Sequence, residues 1–222
     1  MQLYLDTANL EHIKEVASWG VLSGVTTNPT LIAKEDPSVD VKERILEIHN
    51  LVGGHLSVEV VSMDAEGMIK EADEICSWFP LATIKIPMCV EGLKAVKELS
   101  KRNIPVNVTL IFNPIQALAA NNAGARYVSV FMGRLDDIGM DSVDILSDIS
   151  EIWYAQSLES QIIAASIRNP LHIVSAAKLG IHIATVPYNV LKQGLKHPLT
   201  DIGIQQFLAD HNKRLDIVKA NS

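Results

Sequence analysis

Along the 222-residue chain, short apolar runs alternate with longer stretches in which apolar residues recur every third or fourth position. Eight such runs are centred near residues 4, 26, 58, 84, 108, 129, 164 and 184. Each is followed by a segment of helical period: 10–19, 41–52, 65–78, 92–101, 114–122, 141–155, 170–179 and 189–195. Repeated strand-then-helix order predicts a parallel sheet wrapped by helices. Eight units in this length predict an α/β fold, a closed (β/α)8 TIM barrel. A further amphipathic stretch at about 201–218 exceeds the eight units and predicts an additional C-terminal helix. No Pro/Gly/Ser linker or low-complexity tract interrupts the chain, so a single barrel domain over 1–222 is expected.

Parallel strands covered by helices should be almost continuously apolar. Here one face of most strands carries polar residues towards the C-terminal end. Asp6 closes the first strand, and the next three bring Thr26 and Asn28, Ser57 and Glu59, Thr83 and Lys85. The fifth brings Asn107 and Thr109, the sixth Ser129 and Phe131, and the seventh Ala164, Ser166 and Arg168. Their neighbours Val58 and Val60, Ile84 and Ile86, Val108 and Leu110 are expected to face the helices. The polar series then converges on the C-terminal mouth of the barrel, where barrel enzymes keep their active sites. A wholly apolar interior costs less than a buried polar cluster, so the cluster points to function. An open antiparallel sheet with one wet face is the alternative, and the helical segments oppose it. Three strand-to-helix junctions share a dipeptide: Asn28-Pro29, Asn113-Pro114 and Asn169-Pro170. Asparagine suits the N-cap and proline the first helical position, so a cap is the simplest role for each asparagine.

Composition narrows the chemistry. A net charge of −7 provides no global positive field, which argues against a nucleic-acid partner and leaves any anionic substrate to local arginines. The two cysteines, Cys76 and Cys89, have no metal-ligand spacing, and the seven histidines form no HExxH arrangement. No metal and a reduced, cytoplasmic setting are therefore expected. The chain enters its first strand directly at Met1-Gln2-Leu3-Tyr4, which predicts neither a signal peptide nor a membrane span. Neither GxGxxG nor GxxxxGK[ST] is present, so no nucleotide cofactor is indicated.

Within the polar series, Lys85 stands out. Thr83-Ile84-Lys85-Ile86-Pro87 reads as a buried strand with an amine at its centre. Desolvation favours the neutral amine, and a neutral amine beside a carbonyl compound forms a Schiff base. The plain alternative is a lysine lying along apolar surface with its ammonium in water. Imine formation and hydrolysis need proton transfer, for which Glu59 and Asp6 are candidates, with Thr109 placed to position a water. Glu59 could instead form an ion pair with Lys85, which would oppose nucleophilicity. Asp6 could instead cap the helix beginning near Leu10. Arg134, in Gly133-Arg134-Leu135-Asp136-Asp137, and Ser166-Ile167-Arg168-Asn169-Pro170 bring two guanidinium groups, a hydroxyl and helix N-terminal amides together as an anion site. Arg134 could alternatively pair with Asp136 or Asp137. These residues describe a Schiff-base lyase or transferase acting on a phosphorylated carbonyl compound. A barrel that binds a sugar phosphate without turning it over is the rival class.

The runs Leu5-Asp6-Thr7-Ala8-Asn9, Gly24-Val25-Thr26-Thr27-Asn28-Pro29-Thr30 and Lys85-Ile86-Pro87 resemble those of the transaldolase family. So do Phe131-Met132-Gly133-Arg134-Leu135-Asp136-Asp137 and Ala164-Ala165-Ser166-Ile167-Arg168. The resemblance is to its short, single-barrel subgroup, which also contains fructose-6-phosphate aldolase. It implies that Lys85 carries the Schiff base with the dihydroxyacetone part of a ketose phosphate. Asp6 would take and return the C4-hydroxyl proton, and Glu59 and Thr109 would hold the reacting water. Asn28, Asn107 and Ser129 would bind substrate hydroxyls beside Phe131, and Arg134, Ser166 and Arg168 the phosphate. The implied reaction moves a three-carbon unit from sedoheptulose 7-phosphate to glyceraldehyde 3-phosphate without metal or organic cofactor. Aldolase-like members are expected to carry glutamine at position 59 and tyrosine at 131. Glu59 and Phe131 favour the transaldolase, with the aldolase as the alternative. The resemblance also implies a homodecamer of two pentamers, its C-terminal helix reaching a neighbour; packing across the bottom of its own barrel is the alternative for that helix.

Overall fold

A computed structural model describes residues 1–35 and 38–220. Strands β1 (Gln2–Asp6), β2 (Leu22–Thr26), β3 (His55–Glu59) and β4 (Thr83–Pro87) are followed by β5 (Val106–Ile111), β6 (Tyr127–Phe131), β7 (Gln161–Ala165) and β8 (Ile183–Val186). They pair in chain order, all parallel, and β8 returns to β1 to close a barrel. The helices begin with α1 (Leu10–Ser18), α2 (Pro29–Ile32), α3 (Val41–Val52), α4 (Ala65–Trp78), α5 (Val90–Lys101) and α6 (Pro114–Ala123). They continue with α7 (Met132–Asp137), α8 (Ser142–Gln156), α9 (Pro170–Lys178), α10 (Tyr188–Leu195) and α11 (Pro198–Ala220). The predicted (β/α)8 barrel and extra helix are therefore both present. Helices α2 and α7 were not expected, because four and six residues are too short to display a 3.6-residue period.

The junctions follow local chemistry. Asn28, Asn113 and Asn169 each accept the backbone N–H three residues on, from Leu31 at 2.9 Å, Gln116 at 2.9 Å and His172 at 3.1 Å, and each is followed by proline. Helix α1 is capped by Asn9, which accepts from His12 N at 3.0 Å, so Asp6 is left free of capping duty.

Two apolar layers hold the barrel. Val58, Val60, Ile84, Ile86, Val108, Val128 and Val130 point outward and pack with Ile13, Ile45, Met68, Leu99 and Leu146 of the helices. Burying each such side chain stabilises the fold by about 1.5–3 kcal/mol. Inside, Tyr4, Ile163 and Ile183 form the floor, with Tyr127 packed against them. Gly24 is required beside this floor, because a Cβ there would sit 2.9 Å from both Tyr4 and His55.

Two expectations about strand faces need correction. In β7 it is Ile163 and Ala165 that point inward, and Ala164 packs outward with the helix layer. The inward phase at Ser166 is reached only because that residue turns left-handed, with φ of 55°. In β5, Leu110 does not face the helices. Its register with β6 shifts between Val108 and Ile111, Leu110 adopts φ of 62°, and its side chain lines the cavity at the mouth. Such a bulge re-aims side chains at a barrel rim.

Helix α11 is exposed along its described length, with only Gly203 half-buried. Its Ile202, Ile204, Phe207, Leu208 and Leu215 face solvent, so it does not pack across the bottom of its own barrel. No helix among the described residues is long and apolar enough to cross a membrane.

Candidate active site

A cavity of about 390 Å³ opens at the C-terminal mouth of the barrel. Lys85, in the middle of β4, projects into it and is only 4 % exposed. Its Nζ lies 3.0 Å from Glu59 Oε2 and donates to the Thr27 carbonyl at 3.0 Å. The register Glu59↔Lys85 across β3 and β4 places the two side by side. The Thr27 carbonyl is in turn held by its own residue, whose N–H and hydroxyl both donate to Ser57 O, at 3.1 and 2.9 Å. Of the two arrangements open for Glu59, the resting one is thus the ion pair.

Asp6, at the end of β1, lines the same cavity. Thr26 Oγ1 donates to Asp6 Oδ1 at 2.9 Å and lies 2.6 Å from Thr185 Oγ1, so Thr185 donates onward to Thr26. Burial pushes the Asp6 carboxyl above the ordinary carboxylate range; the nearby Lys85 and the Thr26 hydrogen bond pull the other way without cancelling it. A carboxyl raised in this manner keeps a proton more readily than a free one.

The remaining expected residues divide. Asn28, Ser129, Phe131, Arg134, Ser166 and Arg168 line the cavity with Lys85, Glu59 and Asp6. Asn107 is fully buried beneath it, accepting from Ser129 Oγ at 2.7 Å and donating to Ser57 Oγ at 3.1 Å. Thr109 is 1 % exposed, its hydroxyl finds no protein partner, and it pairs with Pro87 across β4 and β5 without being part of the cavity lining. Asn28 uses its oxygen as a cap while lining the cavity.

The two arginines, both at the cavity, differ in their partners. Arg134 makes no salt bridge with Asp136 or Asp137 but lies over the Phe131 ring, 5.2 Å from its centroid. Arg168 is the one paired, at 3.0 Å with Asp137, and its side chain is 56 % exposed. The left-handed turn at Ser166 leaves Arg168 exposed at the rim of the cavity, within reach of Asp137. Gly133 makes this turn possible: its N–H donates to Ser166 O at 3.0 Å, and a Cβ there would meet that oxygen at 2.2 Å.

Three groups at the site were missed. Thr185 was visible as the one polar residue of an apolar strand. Lys34, which lines the cavity from the turn after α2, carries no periodic signal. The Thr27 carbonyl is backbone and leaves no mark in a sequence.

The closed parallel barrel thus gathers a buried lysine, two carboxyl groups and two guanidinium groups at its C-terminal mouth, where barrel enzymes keep their active sites. Comparison with known proteins makes this particular. Residues 3–221 match the family "Transaldolase/Fructose-6-phosphate aldolase", and the chain belongs to that family. A "Probable transaldolase" of Halalkalibacterium halodurans is 55 % identical over 214 residues, covering 96 % of this chain and all of the relative. One from Clostridium botulinum (strain Eklund 17B / Type B) is 56 % identical over 211 residues, 95 % of this chain and 98 % of the relative. One from Roseiflexus castenholzii is 53 % identical over 210 residues, 95 % and 96 % of the two chains.

The raised Asp6 carboxyl has a consequence for stability. A carboxyl whose folded-state pKa lies above its unfolded one is a growing cost to the folded state as pH rises through the unfolded value, about 3.9. Asp6→Asn keeps an oxygen for Thr26 and removes that cost. The variant is expected to unfold at higher urea than the parent at about pH 7 and to lose the advantage at about pH 3, where both states hold the proton. A variant less stable than the parent at about pH 7 contradicts the assignment.

Proposed function

We propose that the protein is a class I transaldolase that transfers a dihydroxyacetone unit from sedoheptulose 7-phosphate to glyceraldehyde 3-phosphate, giving erythrose 4-phosphate and fructose 6-phosphate in the pentose phosphate pathway. The observation that carries this is the Lys85 amine, 4 % exposed, paired with Glu59 at 3.0 Å and sharing one cavity with Asp6. Binding alone needs no nucleophile held dry beside two acids, which counts against a non-catalytic sugar-phosphate barrel.

Glu59 takes the proton that Lys85 must lose before its nitrogen can add to the ketose C2 carbonyl. The carbinolamine then loses water to give the imine, with Glu59 supplying the proton and Thr109 orienting the water. The buried, unpartnered Thr109 hydroxyl supports that role. Asp6 accepts the C4-hydroxyl proton as the C3–C4 bond breaks, and its raised affinity for a proton suits it to hold one until the acceptor aldehyde arrives. The electron pair of the broken bond is held by the protonated imine, adds to the acceptor carbonyl, and water then hydrolyses the new imine. Asn28, Ser129 and, through Ser129, Asn107 hold substrate hydroxyls. Arg134 and Ser166 hold the phosphate, and Arg168 joins them by leaving Asp137; charge-assisted contacts to phosphate outweigh an exposed ion pair worth about 0–1 kcal/mol.

Phe131 favours transfer over release. A phenyl ring offers no hydroxyl to help water attack the imine, so the imine waits for an aldehyde. The tests share one incubation. With fructose 6-phosphate and borohydride, mass spectrometry is expected to find a three-carbon adduct on the Lys85 peptide; an unmodified peptide or an adduct elsewhere removes the mechanism. Without reductant, three-carbon transfer to erythrose 4-phosphate is expected to exceed release of free dihydroxyacetone, and Phe131→Tyr to raise that release. Release as fast as transfer in the parent would make the protein the aldolase.

The chain acts in the cytoplasm as a homodecamer of two pentamers. The exposed apolar residues of α11 support self-association, since a run of this kind is normally covered. Sedimentation of the full chain is expected to give the decamer, and a chain ending before Pro198 a smaller species; a full chain sedimenting as a monomer contradicts the assembly.

A further inference from the structure

Four polar side chains form a row that leaves the cavity and descends the inside of the barrel. Ser129 Oγ, at the cavity, donates to Asn107 Oδ1 at 2.7 Å, and Asn107 Nδ2 donates to Ser57 Oγ at 3.1 Å. Ser57 Oγ lies 2.7 Å from His55 Nε2. Ser57, Asn107 and Ser129 are buried, crossing from β3 through β5 to β6. His55 stands at the far end of the barrel, stacked on Tyr4 at 4.7 Å and meeting the edge of Tyr127 at 4.7 Å. It also lines a cavity of about 880 Å³ made by residues that precede the strands.

The row has a direction, because each hydroxyl has one proton to give. Ser57 accepts from Asn107, and with the ring protonated on Nδ1 its own proton is given to His55 Nε2, which then acts as the acceptor. Burial pushes the His55 imidazole down to about 4, so the ring is neutral at physiological pH and one of its two nitrogens is free to accept. The opposite direction is also self-consistent. A His55 carrying its proton on Nε2 would donate to Ser57, turn the Asn107 amide over and send the Ser129 proton towards the cavity.

We propose that His55 is a positioning residue: by accepting at Nε2 it draws the protons of the row inward and leaves Ser129 facing the substrate as an acceptor, selecting a hydroxyl on the donor sugar. The inference deepens the function proposed above and rests on it. It makes a residue at the far end of the barrel, with no contact to substrate, part of donor recognition.

His55→Phe keeps the aromatic packing and removes the acceptor, whereas His55→Gln offers an amide oxygen at similar reach. In transfer assays with fructose 6-phosphate as donor, His55→Phe is expected to raise the donor KM and lower kcat/KM about 5- to 10-fold, and His55→Gln to recover most of the loss. In a Ser129→Ala background His55→Phe is expected to cost nothing further, since no hydroxyl remains to be oriented. Melting curves accompany each variant; should the phenylalanine variant fail to fold, Gln is compared with Asn, which is too short to reach Ser57. Equal losses in both backgrounds, or a glutamine variant no better than its comparison, overturn the proposal. The borohydride adduct on parental Lys85 separates the two levels. Without it the reaction itself is wrong, whereas an adduct with unchanged His55 variants condemns only the row.

Discussion

The pairing of the Lys85 ammonium with Glu59 inside the barrel mouth is the constraint around which the site is built. Taking two charges out of water costs several kcal/mol per ion, and their attraction repays this only when geometry and further hydrogen bonds are good. Both conditions are met: the N–O distance is 3.0 Å and the Thr27 carbonyl takes a second ammonium proton. Replacing such a pair with packed aliphatic groups is often neutral or stabilising, so its presence is poorly explained by stability. Asp6 adds to the cost, because burial opposes its ionised form. The aliphatic layer between strands and helices offsets a polar interior that the fold alone does not need.

That layer also fixes where the polar groups can be. A parallel strand has only two faces, and with Val58, Ile84 and Val108 committed to the helices, Glu59, Lys85 and Asn107 must point to the axis. The mouth is completed by two departures from regular backbone, the left-handed Leu110 and Ser166. Each left-handed non-glycine residue costs on the order of 1–3 kcal/mol, and such residues cluster where a ligand is held. Gly133 removes the Cβ that would otherwise keep the Ser166 loop away from α7.

Most of the fold was legible in the sequence because hydrophobic period and turn chemistry agree along the chain. Asn28, Asn113 and Asn169 illustrate this: each announces a helix start that the structure contains. The site was legible where it follows the two-residue alternation, as at Glu59 and Lys85. It was misread where the backbone leaves that alternation. Leu110 and Ser166 break phase through dihedral angles that nothing in their side chains announces, so Leu110 was assigned to the wrong face. The Thr27 carbonyl and the Arg168–Asp137 pair were beyond reach for a different reason, since each depends on contacts between segments far apart in the chain.

In the proposed reaction the Lys85 amine, and not a neighbouring group, bonds to the substrate carbon. Diffraction from crystals soaked in fructose 6-phosphate tests it most directly. Continuous density is expected from Lys85 Nζ to C2 of a dihydroxyacetone unit, with Glu59 no longer paired to that nitrogen. A sugar phosphate bound in the cavity while Lys85 keeps its contact with Glu59 would contradict it.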